Sequence, residues 1–172
     1  MDARDLELVG RLENYQHAVR LYGLGFSLIP VNAETKVPVV PWKKYQTERC
    51  TRMDIVNWFL VQWHAIGIVT GALSGIVVVD CDDEDAVDTL LDRSVTVGDI
   101  EESLVRQKTK RGTHFFYRHP GVETPNTVRR LGAKVDVRGD GGYVRAYPGS
   151  LNFSADRLSR MPVFRTLAKG GA

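Results

Sequence analysis

The sequence predicts an α+β domain with a mainly antiparallel sheet flanked by helices. Three observations predict it: an amphipathic helical stripe near the N-terminus, several short β-branched runs, and glycine-rich turns placed between those runs as hairpin connections. At 172 residues the chain suits one domain, or one plus a small appendage. An apolar fraction of 43% with 26% charged residues is that of a soluble globular protein, and no apolar run approaches the roughly 20 residues needed to span a bilayer. Asp2, Asp5 and Glu7 replace the basic-then-apolar order of a signal peptide, so a cytoplasmic location is expected. Cys50 and Cys81 lack metal-ligand spacing and are expected as free thiols.

The elements follow in order. Leu8, Leu12, Tyr15, Val19 and Tyr22 recur at steps of three and four and predict one stripe of a helix, which Gly23 and Gly25 are suited to end. Phe26 to Pro30 reads as a short strand, and Val31 to Gln46, with Pro38 and Pro41, as irregular chain. Thr51 with Asp54 three residues later predicts a capped helix burying some of Ile55, Val56, Trp58 and Phe59. Ile66 to Thr70 and Ile76 to Asp80 are β-rich and separated by Gly71-Ala72-Leu73-Ser74-Gly75, which predicts a hairpin. Beyond Asp80 the pattern turns helical, with Ala86, Val87, Leu90 and Leu91 on one face. His114 to Arg118 and Lys134 to Arg138 read as strands. Gly139-Asp140-Gly141-Gly142 is a tight-turn signal, with Tyr143 to Tyr147 as the returning strand. The patterned domain thus spans residues 1–150. Residues 151–172 form a C-terminal extension, either part of that domain or frayed, and Lys169 to Ala172 is expected to fray.

The net charge of +2 hides a segregation. From Asp80 to Glu102 there are ten acidic residues against Arg93, a balance of 1 − 10 = −9. From Arg106 to Arg145 there are ten Lys/Arg against Glu123, Asp136 and Asp140, a balance of 10 − 3 = +7. These blocks are either two solvated faces or a basic surface for an anionic partner.

The chemistry concentrates at three places. Ile76-Val77-Val78-Val79 suits a strand covered on both faces, and Asp80 and Asp82 at its exit share one face if the strand continues. Paired carboxylates suit Mg²⁺ or Mn²⁺ and phosphoryl chemistry. Alternatively Asp82 or Asp83 caps the following helix, with Glu84 and Asp85 answering its dipole, an account that leaves Asp80 unexplained. In Lys110-Arg111-Gly112-Thr113-His114, a small-residue turn feeds a histidine beside cations; it is either a phosphate-binding loop or a core histidine next to a solvated basic turn. In Val135-Asp136-Val137-Arg138 the valines face one way and the charged pair the other, as a third carboxylate with a phosphate-binding arginine or as an ordinary exposed ion pair.

Taken together and in this order, the three places resemble the archaeo-eukaryotic primase superfamily, and more narrowly the bifunctional primase–polymerase domain of phage and plasmid replication proteins. The resemblance runs from about Tyr15 to Ser150. It includes Gly23-Leu24-Gly25-Phe26, Ile29-Pro30, Lys36 with Pro38 and Trp42, Gly67 to Asp82, and Asp136 through Tyr143, which is its most specific motif. It implies a catalytic core like that of RNA-recognition-motif folds. It also implies that Asp80, Asp82 and Asp136 form a metal-binding triad, with Mg²⁺ or Mn²⁺, as two ions, as cofactor. His114 matches the family's nucleotide-binding histidine, with Gly112, Thr113 and Arg111 in the loop before it, and Arg138 and Lys36 match basic positions. The implied reaction is template-dependent nucleotidyl transfer, a DNA polymerase with possible primase activity. Its partners would be nucleoside triphosphates, single-stranded DNA template and primer, and a helicase or other replication protein, with no membrane. A metal-dependent nucleotide hydrolase, or a non-catalytic nucleotide- or single-strand-binding module of a larger replication protein, would use the same residues. Two departures stand out: Gly112 replaces a serine frequent two residues before the family histidine, and Tyr147-Pro148-Gly149-Ser150 replaces a Pro-Pro-Ser ending. The helical module and helicase that often follow such domains lie outside this sequence, so primer extension is expected ahead of de novo priming.

Overall fold

The computed structural model of the chain describes residues 2–92 and 105–165. Helix α1 spans Ala3–Gly23. Asp2 caps it by accepting the N–H groups of Arg4 and Asp5, while the Asp5 carboxylate accepts the Asp2 N–H, a reciprocal arrangement that satisfies donors the first turn leaves open. Its end is closed by Gly25, which takes φ +103° while its N–H donates to the Tyr22 carbonyl and that of Phe26 to Leu21. The expected apolar stripe is only partly the buried one. Ala18 and Leu21 enter the core and Tyr15 and Tyr22 pack against it, whereas Leu8, Leu12 and Val19 stay exposed. The helix enters the core along its C-terminal half, while nearer its start Gly10 and Arg11 meet Trp63. The capping box of Thr51 and Asp54 starts α2, Arg52–Ile55, which widens into π-helical turns over Val56–Val61 and buries Ile55, Trp58 and Phe59.

Among the described residues, seven strands form two antiparallel sheets. Strands β1 (Leu28–Val31), β2 (Ala65–Val69) and β7 (Tyr143–Arg145) lie in the order β1-β2-β7. Strands β3 (Ile76–Cys81), β4 (Arg106–Lys108), β5 (Thr113–Arg118) and β6 (Val135–Arg138) lie in the order β4-β5-β3-β6. Two expected hairpins are therefore corrected. β2 pairs with β1 and β7, and β3 with β5 and β6, so the Gly71–Gly75 turn carries the chain from one sheet to the other. The Gly139–Gly142 turn does the same in reverse, delivering β7 to β2 and not back to β6. The two crossing turns are fastened together: Thr70 donates through its N–H to Gly142 and through its hydroxyl to Gly139, and Ala72 N–H donates to Asp140 Oδ1 at 2.8 Å.

β3 is buried on both faces, as its unbroken β-branched run requires. Ile76 and Val78 join the larger core between the sheets, with Leu28, Ile29, Ile66, Ile68 and Phe116. Val77, Val79 and Cys81 join a second core with Phe115, Tyr117, Val135, Val137 and Ala86 of α3, Glu84–Asp92. Strand β4 and a short helix α4, Ala155–Ser159, carry no clear sequence pattern. Leu151, Phe153 and Met161 pack into the larger core and Phe164 into the second, so residues 151–165 belong to the same packed body. The expected fraying of Lys169 to Ala172 and the acids Asp99, Glu101 and Glu102 lie outside the described residues, as do the side chains of Leu90 and Leu91. Cys50 and Cys81 are free and buried. No helix among the described residues is long and apolar enough to cross a membrane.

Candidate active site

Asp80 is the next residue after Val78 on the β3 face that meets the larger core, at the point where that core opens into a cavity. Register places it directly between two neighbours, His114 on β5 and Asp136 on β6. His114 Nε2 lies 3.2 Å from Asp80 Oδ1. Arg138 Nη2 lies 2.8 Å from Asp136 Oδ2 and 3.8 Å from Asp80 Oδ2, so one guanidinium bridges the two strands' carboxylates. The other Asp136 oxygen accepts the Arg129 N–H at 3.0 Å. Burial alone would raise the Asp80 pKa. The hydrogen bond from His114 and the charges of Arg138 and Lys36 outweigh it and hold the carboxyl below its ordinary range. At the same strand exit the Cys81 thiol is pushed up to about 12, by burial and then by Asp80, Asp82 and Asp83.

The competition between Asp82 and Asp83 for the helix cap has one outcome. Asp83 Oδ1 accepts the Ala86 N–H at 2.9 Å and its carboxylate pairs with Lys134, whose hydrogen bond and charge lower its pKa. Asp82 is left exposed and lines the cavity with Asp80. The Lys110–Thr113 loop packs against the β3 exit. A Cβ on Gly112 would come 1.9 Å from the Cys81 carbonyl oxygen and 2.7 Å from the Asp82 carbonyl carbon, so the turn lies flat against the β3 exit only because position 112 has no side chain. A serine does not fit here. Arg111, Gly112 and Thr113 are not among the residues lining the cavity; Thr113 is buried opposite Cys81, and Arg111 is exposed on the side of Asp83.

The cavity measures about 370 Å³ and is walled by Asp80, Asp82, His114, Lys36, Arg138 and Arg145, with Trp42, Asn126 and the Gly141–Val144 segment. Asp136 stands behind Arg138, off the wall. Lys36 adopts φ +62°, an unfavourable conformation for a residue with a Cβ. Its loop is held by the Tyr143 hydroxyl, which donates to the Lys36 carbonyl at 3.1 Å, and by the Arg145 guanidinium on the Ala33 carbonyl. Trp42 packs edge-on against Tyr143, ring centroids 5.0 Å apart. Sequence reasoning missed Arg145, Trp42 and Asn126 as wall residues, and Gln107 behind His114. Arg145 had a signal, since β7 alternates and places it two residues from Tyr143; the others come from loops or an unpatterned strand.

The carboxylates of Asp80, Asp82 and Asp136 are oxygen donors, the kind that suits a hard divalent cation. As the side chains stand, Arg138 occupies the place between Asp80 and Asp136, and among the described residues no group of three or more His, Cys, Asp or Glu side chains is gathered tightly enough to hold an ion. A comparison with curated proteins gives no match. A family model does match, over residues 18–164, a span that takes in both sheets and every wall of the cavity. Its description is bifunctional DNA primase/polymerase, N-terminal, and this chain, with its two antiparallel sheets and its carboxylates registered at the mouth between them, belongs to that family.

Proposed function

We propose that the chain is a template-dependent DNA-directed nucleotidyltransferase, a polymerase that extends a primer and can act as a primase. The observation that carries this is the register of β5, β3 and β6, which sets His114, Asp80 and Asp136 side by side at a cavity whose other walls are cationic. A site for anions alone would not gather carboxylates, and a site for cations alone would not need Lys36, Arg138 and Arg145. Both are needed where a metal-bound polyphosphate sits.

Asp80, Asp82 and Asp136 would hold Mg²⁺ or Mn²⁺, as two ions; when bound there, such ions lower the pKa of an attacking 3′-hydroxyl and neutralise the departing oxygens. The chain's own residues do the rest. Lys36 and Arg145 offset negative charge on the triphosphate, and Arg138, with one guanidinium for two carboxylates, is free to exchange them for phosphate oxygens once another cation serves the acids. His114 offers an N–H to an oxygen acceptor. Trp42 and Tyr143 supply an apolar wall of the size a base or sugar needs. A helicase or another replication protein would supply the unwound template.

The test is extension of a labelled primer–template with Mg²⁺ or Mn²⁺ and either dNTPs or NTPs, beside an unprimed template. Lengthened product that disappears in Asp82→Ala is expected. Triphosphate breakdown that needs no template would assign the site to a hydrolase instead.

A further inference from the structure

Gln107 lies on β4, fully buried, in a strand whose flanking residues Arg106 and Lys108 are exposed. Its side-chain amide is fixed in orientation by two main-chain groups that permit only one. The Tyr147 N–H can only donate, and it meets Oε1 at 2.9 Å; the Arg145 carbonyl can only accept, and it meets Nε2 at 2.7 Å. A flipped amide would set oxygen against oxygen and N–H against N–H. The remaining Nε2 hydrogen points at His114 Nδ1, 2.9 Å away. That ring nitrogen therefore accepts, and the ring proton sits on the opposite nitrogen, Nε2, which is the atom facing Asp80 at 3.2 Å.

We propose that Gln107 is a positioning residue: it locks His114 in the Nε2–H tautomer and aims that N–H into the cavity. The same amide ties β4, the edge of one sheet, to the chain leaving β7 in the other, so Arg145 and His114 are held by one buried side chain. A locked Nε2–H makes His114 a hydrogen-bond donor, to Asp80 Oδ1 in this structure and to an oxygen of a ligand that takes that acceptor's place, and not a base that takes a proton from it. The part of this inference that concerns a ligand rests on the nucleotide reading above; the tautomer does not.

The experiment is ¹⁵N spectroscopy of the four histidines, with His114 assigned by its loss in His114→Gln. The unsubstituted chain is expected to show an unprotonated Nδ1 and a protonated Nε2 at position 114; a protonated Nδ1 overturns the proposal, whether or not any variant folds. In Gln107→Glu the new carboxylate oxygen can only accept, so Nδ1 is expected to gain a proton; an unchanged ring spectrum in a folded variant overturns it. Titration of dGTP in the presence of Mn²⁺ then reads the ligand arm. Affinity in Gln107→Glu is expected to fall about tenfold, the order of loss seen when the outer partner of a metal-ligating histidine is changed. Equal affinity with an altered tautomer refutes the positioning role. If the unsubstituted chain shows the expected tautomer but does not bind dGTP, the nucleotide reading fails and the tautomer assignment stands.

Discussion

At the scale of single residues, the site is an arrangement of charges that would be costly if any member were missing. Asp80 and Asp136 are cross-strand neighbours, and like charges placed so repel. Arg138 offsets this by contacting both. Replacing it by glutamine removes the cation and leaves two half-buried carboxylates against each other. Arg138→Gln is expected to lower stability by about 1–3 kcal/mol, the cost of stranding a partially buried charged group. The loss has a particular signature if the acids hold metal. Added Mn²⁺ would replace the missing cation, so the melting temperature of Arg138→Gln should rise with Mn²⁺ more steeply than that of the unsubstituted chain, where the ion must first displace the guanidinium. Thermal melts of both proteins across a Mn²⁺ series measure this. Equal slopes would remove the carboxylates from consideration as a metal site.

At the scale of elements, the two turns that cross between sheets are joined through Asp140, which precedes Gly141 and Gly142 of the cavity wall. Asp140 Oδ1 accepts the Ala72 N–H, while Oδ2 accepts the Thr124 N–H at 2.8 Å and faces His119 Nε2 at 3.3 Å. Burial by itself would raise its pKa, but these donors, Thr124 first, more than compensate and lower it. A carboxyl depressed in the folded chain contributes stability above its unfolded pKa, about 3.9, and that contribution is lost as pH falls through the lower folded value. Asp140→Asn puts an amide N–H against one of the donors, so it is expected to cost about 1–3 kcal/mol near neutral pH. The difference from the unsubstituted chain should close as pH drops below the folded pKa, which urea titrations at stepped pH will show. The sequence announced this turn, since Gly139-Asp140-Gly141-Gly142 can hardly be anything else, but it did not say which strand came next. Turn chemistry is local, whereas the choice between returning to β6 and crossing to β2 depends on which strand has an open edge. β3 was legible for the opposite reason: a β-branched run with no polar interruption implies cover on both faces wherever its partners come from. Asp80, Asp136, His114 and Arg138 were legible because period two assigns their faces. Gly112 reads two ways, because a glycine needed for close approach to the Cys81 carbonyl looks, in sequence, like one needed for a phosphate.

At the scale of the whole molecule, the two charge blocks meet at Glu84, Asp83 and Asp80, and Arg138 also holds Asp136 of its own block. Glu84 pairs with Lys108, Asp83 with Lys134, and Asp80 and Asp136 with Arg138. Seven of the ten cations of the basic block stand outside these pairs, 10 − 3 = 7, and two of them have a specific place. Arg129 and Arg130 are exposed, make no ion pair among the described residues, and stand beside the site, since the Arg129 N–H holds Asp136. Their position suits the backbone of a template strand entering the cavity mouth, where its phosphates would meet cations that no carboxylate has claimed. Such contacts have a thermodynamic mark. Each phosphate neutralised on a single strand contributes about −0.7 to the slope of log K against log salt. The double substitution Arg129→Ala with Arg130→Ala should therefore weaken single-stranded DNA binding and flatten that slope by about 1.4. It should do so without altering the affinity for a free nucleoside triphosphate, which the inner cations Lys36, Arg138 and Arg145 would hold. Fluorescence anisotropy with a labelled oligonucleotide across a salt series separates the two cases. A slope unchanged by the double substitution would mean the strand enters elsewhere, and a parallel loss of triphosphate affinity would mean these arginines belong to the inner site.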